Sequence, residues 1–150
     1  MLVLRPEARP VYDTMQMAYT LRPHHVAYFG RNQWGETPAQ MLQPLLVRAL
    51  EQTGHFSAVL APPHAGAYTY ALRTEIVELL QDFTQEPPVL RLVLRVRLSD
   101  GPSDRTLATR EIALRETMRE KAPYAGVVAA NEAMARALRE LAVFVLGQAP

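Results

Sequence analysis

Cysteine is absent from the 150 residues, so disulfides, thiolate nucleophiles, zinc ribbons and iron–sulfur clusters drop out together. The same absence removes redox chemistry as a guide to compartment. Net charge is nearly absent too: 16 Lys and Arg stand against 15 Asp and Glu, a formal +1. Such a balance supplies no global field to steer the chain toward nucleic acid or an anionic membrane. No apolar run approaches the roughly 20 residues of a membrane-spanning helix, and the first residues carry no signal-peptide core. The chain is therefore cytosolic, or its targeting segment lies upstream.

Glycine is scarce, at seven residues, and none opens a helix in the Walker or dinucleotide-binding pattern, so the chain is not itself an ATPase. No G-x-S-x-G elbow frames Ser57, Ser99 or Ser103, and the last two read as turn residues.

What is present is an ordinary globular balance, 49% apolar and 21% charged, at a length that fits one domain. Residues 1–12, with Pro6 and Pro10, read as an extended N-terminal tether that cannot sit inside a sheet, and 13–150 as the single domain. Met15, Met17, Tyr19 and Leu21 alternate with Gln16, Ala18 and Thr20, the period of a half-buried strand. Arg22-Pro23 then turns the chain into a second strand that includes His24 and His25 and ends at Gly30.

Thr37-Pro38-Ala39-Gln40 has the N-cap hydroxyl, first-turn proline and glutamine of a capping box, so a helix starts there and runs toward Gly54, weakened or bent by Pro44. Phe56 to Leu60 reads as a brief strand. Residues 68–83 fit helix and strand equally by periodicity. Leu90, Leu92, Leu94, Val96 and Leu98 alternate with Arg91, Arg95 and Arg97, a strand that turns at Ser99-Asp100-Gly101-Pro102 and pairs with 105–118, setting Glu111 near the arginines. After Pro123, Val127, Ala130, Met134, Leu138, Leu141 and Val145 recur at helical spacing. The sum is an α+β two-layer sandwich, an antiparallel-rich mixed sheet with two main helices on one face.

Candidate chemistry is thin. The four histidines do not converge as a metal site needs: His24 and His25 are adjacent on a strand, and His55 and His64 lie in or beside loops. Glu75, Glu78 and Asp82 could serve acid–base work, but a solvated face is the simpler account. Arg91, Arg95, Arg97, Arg110, Arg115 and Arg119 could form a basic sheet surface, which makes a nucleic-acid-binding module the alternative function. Near-neutral charge and the lack of interleaved aromatics weigh against it, so no nucleic-acid partner is expected. Catalytic, cofactor and metal residues are all expected to be none, and the chain is not expected to be an enzyme.

Three segments carry a resemblance. They are Met17-Ala18-Tyr19-Thr20 with His25 to Glu36 leading into a leucine-rich helix, Gly54-His55-Phe56-Ser57-Ala58-Val59, and Ala129-Ala130-Asn131-Glu132-Ala133. In order and spacing they resemble the ABC-type transport auxiliary lipoprotein family, over about Tyr12 to Leu146. The resemblance implies a long strand at 68–83 and a periplasmic protein, lipid-anchored to the outer membrane through a cysteine upstream of Leu2. It also implies an MCE-type envelope protein as partner in a lipid-transport system, with lipid and further copies of the chain as open candidates. The family supplies no catalytic residue. A working surface of Tyr28, Phe29, Arg31 and Trp34 is the candidate, either docking a partner or buttressing the first helix.

Overall fold

The computed structural model describes residues 1–150. In chain order it runs β1 (Leu2–Val3), β2 (Glu7–Ala8), a 3-10 turn (Pro10–Tyr12), β3 (Gln16–Thr20), β4 (Ala27–Gln33) and α1 (Pro38–Glu51). Then come β5 (Tyr70–Asp82), β6 (Val89–Asp100), β7 (Thr106–Thr117) and α2 (Pro123–Gln148). The strands form one mixed sheet ordered β4-β3-β5-β6-β7, with β1 and β2 also paired to β5. Because β6 runs antiparallel along the whole of β5, the short strands β1, β2 and β3 share its other edge, all parallel to it.

Alternation on β6 decides which way the sheet faces. Directly opposed residues share a face, so Ile76, Leu94 and Ile112 form one row beneath the helices, and Leu72 and Leu98 lie in another. All five are buried, with Leu42, Leu46 and Leu50 of α1 and Ala133, Ala137, Leu141 and Val145 of α2 sealing them. This is the α+β sandwich expected, with both helices on one face. Neither helix is long and apolar enough to cross a membrane.

The capping box at α1 forms as the sequence dictates. Thr37 Oγ1 accepts from the Gln40 amide at 3.3 Å, and Gln40 Oε1 accepts from the Thr37 amide at 3.1 Å. These bonds satisfy two of the amides a helix start leaves orphaned. The helix continues unbroken through Pro44, so the proline does not end it. Residues 68–83, open by periodicity, contain a 13-residue strand.

Four expectations need correction. Residues 1–12 are not a free tether: Met1, Leu2 and Val3 are buried, and Leu2–Val3 and Glu7–Ala8 pair with β5. Both pairings are two residues long and bracket Pro6 without including it, so the missing amide falls outside the ladder. Phe56 to Leu60 is no strand, contributing only the single bridge Leu60 to Leu2. His24 and His25 sit in the turn before β4, which starts at Ala27 and passes through Gly30.

The buried stripe of α2 is Gly126, Ala129, Ala130, Ala133, Ala137, Leu141, Phe144 and Val145, with Val127, Met134 and Leu138 on its flank. Small side chains let the helix approach the sheet closely. At Gly126 an added Cβ would lie 2.1 Å from the buried amide group of Gln81.

Candidate functional site

Strand β4 is the sheet's edge, held by β3 alone, and it carries all four residues of the expected working surface or their immediate neighbours. The pairing is irregular: Gln16 opposes Gln33 and Ala18 opposes Tyr28, so the residues between are bulged away from the ladder. A bulge re-aims side chains and blunts an open edge. Phe29 packs inward at 4.5 Å, ring centre to ring centre, from Tyr19 and 6.4 Å from Phe83, and this trio seats the hairpin on the sheet. Trp34 is partly buried against the core and its amide donates to the Met15 carbonyl at 2.7 Å. Tyr28 and Arg31 are exposed; the Tyr28 hydroxyl donates to the Val11 carbonyl at 2.7 Å, while Arg31 makes no ion pair. The four residues therefore divide, two anchoring the strand and two presented by it.

The face of the sheet away from the helices carries the arginines, and it is an ion-pair lattice. Arg91 donates to both carboxylate oxygens of Glu78 at 2.9 and 3.0 Å and reaches Asp82 at 3.4 Å. Arg95 lies between Glu75 (3.5 Å) and Glu111 (3.4 Å), the latter as its register predicts. Arg73 and Arg97 share Asp104, at 2.8 and 3.8 Å. Arg110 is on the opposite, helix-covered face, opposed to Val96 and 3.8 Å from Glu140. The six arginines thus do not make one basic surface: Arg91, Arg95 and Arg97 on the open face have carboxylate partners, while Arg115, opposed to Arg91 on that face, and Arg119, beyond β7, are exposed and make no ion pair.

Asp82 is not on a solvated face: its side chain is 2% exposed. Burial works against its ionised form. Hydrogen bonds from the Thr84 hydroxyl and amide, at 2.5 and 2.8 Å, and from Arg91 outweigh that and hold the carboxyl below its ordinary value. A pKa lower folded than unfolded adds stability above the unfolded value, and that stability is lost as pH falls through the folded one. We expect urea stability to fall as pH drops below about 4, and Asp82→Asn to flatten part of that fall. An unchanged acid limb in the variant would show that another group controls it. Asp82, Glu78 and Arg91 line a cavity of about 360 Å³ together with Tyr12, whose hydroxyl is pushed up to about 12, first by burial and then by Glu78.

The remaining polar groups are dispersed. His55 Nε2 is 2.6 Å from the Ala149 carbonyl, and the His64 ring is 6.5 Å from that of Tyr68. No three His, Asp or Glu side chains gather as metal ligands would. Ser103 accepts its place in the turn by donating to Asp100 at 2.6 Å, whereas Ser99 is buried in β6 rather than in the turn.

A family model for the ABC-type transport auxiliary lipoprotein component matches residues 1–142. Among solved structures the chain is similar to protein XCC0632 from Xanthomonas campestris, at 22% identity and a TM-score of 0.89, over 98% of this chain and 83% of that one. It is similar also to the hypothetical protein CT253 from Chlamydia trachomatis, at 12% identity and a TM-score of 0.63, covering 98% and 96%. A more distant likeness is to the PelC dodecamer from Paraburkholderia phytofirmans, at 13% identity and a TM-score of 0.51, covering 85% and 77%. At these identities the likeness is one of fold. No curated protein matches the chain.

Proposed function

The chain belongs to the family of ABC-type transport auxiliary lipoprotein components, and on that premise we propose that it docks to an envelope-spanning MCE-type component of a lipid-transport system and works by binding, without catalysis. The observation that carries this reading is the division on β4: Phe29 and Trp34 fix the strand while Tyr28 and Arg31 face outward. An edge that presents one aromatic and one unpaired guanidinium is suited to recognition, because Trp, Tyr and Arg are enriched among the few residues that carry most of the binding energy at interfaces.

In this reading the acyl anchor is attached upstream of residue 1 and holds the protein at the periplasmic side of the outer membrane. The proposed partners are the MCE-type component, the lipid it moves, and further copies of this chain, the last with precedent in the PelC dodecamer. The carboxylates that could do acid–base work are engaged by arginines, which supports a binding role over a reaction.

Affinity purification of the full-length protein from detergent-solubilised envelopes tests the proposal. We expect the MCE-type component to copurify, and Tyr28→Ala with Arg31→Glu to cut its recovery about tenfold or more. Recovery that is undiminished in the double variant would move the docking surface elsewhere, and a full-length protein without an acyl chain would remove the anchor.

A further inference from the structure

We infer that the turn between β3 and β4 is a contact point for anionic phospholipid, a foothold separate from any acyl anchor. The turn is Leu21-Arg22-Pro23-His24-His25-Val26. Its aliphatic ends are unusually open: Leu21 is 69% exposed and Val26 42%. Between them the His25 amide donates to the Arg22 carbonyl at 3.3 Å, with Pro23 next and His24 at φ 64°. This is the geometry of a type II turn, whose third position favours glycine because it needs a positive φ. An imidazole stands there instead, at a backbone cost that a glycine would avoid.

Charge supplies the rest. No Asp or Glu occurs between Asp13 and Glu36, a stretch that holds Arg22, Arg31, His24 and His25. Arg22 makes no ion pair, in contrast to Arg73, Arg91, Arg95 and Arg97 on the nearby sheet face. The two carboxylates beneath the turn, Glu78 and Asp82, are both held by Arg91 and oppose it little. Protruding aliphatics beside an unpaired arginine, with the carboxylates beneath it already ion-paired to Arg91, fit an interface that offers hydrocarbon and phosphate together.

Its position makes it independent of the chain's start. Thr20 pairs with Asp82 at one end of β5 and Leu2 with Ala71 near the other, about 35 Å apart at ~3.3 Å per residue. A contact at the tip therefore fixes an orientation that a tether before residue 1 leaves free.

The test uses the unlipidated chain of residues 1–150 and sedimentation with vesicles of phosphatidylcholine, with or without phosphatidylglycerol. An unlipidated chain separates this result from the fate of the β4 docking proposal. We expect binding to the phosphatidylglycerol vesicles, weakened about fivefold by Arg22→Gln and about tenfold or more by Leu21→Asp. Val143→Asp, at a side chain 72% exposed on α2, should leave it unchanged. No sedimentation of the parent chain overturns the inference, as does an equal loss in the Val143 variant or equal binding to pure phosphatidylcholine that Arg22→Gln does not touch. Absence of vesicle binding together with loss of the MCE-type component in Arg22→Gln would assign the tip to an acidic protein surface instead.

Discussion

Leu94→Ala is expected to destabilise the protein by about 2–5 kcal/mol, the range for deleting a fully buried leucine from a close-packed core. Leu94 is wholly buried at the centre of the sheet, between Ile76 of β5 and Ile112 of β7 on the helix-covered face. Neighbouring strands on both sides and a helix above leave little freedom to collapse into the void, so the cost should fall in the upper part of that range. The measurement is the urea midpoint of the variant against the parent. A shift worth under about 1 kcal/mol would mean that the layer is more loosely packed than its burial implies.

Gly101→Val is the second large effect, and its cause is backbone rather than core. Gly101 lies at the β6–β7 turn, where its amide donates to the Thr69 carbonyl at 2.8 Å. A Cβ there would stand 2.0 Å from the Tyr68 carbonyl oxygen and 2.9 Å from its carbonyl carbon. Backbone cannot step aside as a flexible side chain can, so the turn must separate from Tyr68 and Thr69 and lose that hydrogen bond. Overpacking and the lost bond together should cost about 2–4 kcal/mol. Thermal unfolding with Gly101→Ala as a milder companion checks this. A variant as stable as its parent would show that the turn re-forms without the contact.

What the sequence revealed followed the range of the interactions involved. The Thr37 capping box, the Leu90–Leu98 alternation and the facing of Arg95 with Glu111 depend on neighbours or on a tight hairpin, and each appears where expected. The parallel pairing of β1, β2 and β3 with β5 joins segments more than sixty residues apart. No local signal marks such a pairing, and the prolines between 1 and 12 concealed it. On α2 the larger residues Val127, Met134 and Leu138 drew the stripe to one side, while the buried face is mostly glycine and alanine because the helix lies close to the sheet.

At the candidate site, Phe29 and Trp34 could be read as apolar but not as the inward pair. That assignment depends on the bulge in β4 and on Phe83, which arrives from the far end of β5. The loss of the arginine face as a polyanion site likewise needed three dimensions, because its partners Glu75, Glu78 and Asp104 come from a neighbouring strand and a turn.

Docking through β4 is tested most directly by a photoreactive amino acid placed at Arg31 in the full-length protein, with a second placed at Thr109 on the opposite edge strand β7. Irradiation of intact cells should join the MCE-type component to position 31 and not to position 109. Capture from position 109, with none from position 31, would contradict the assignment of β4 as the working edge.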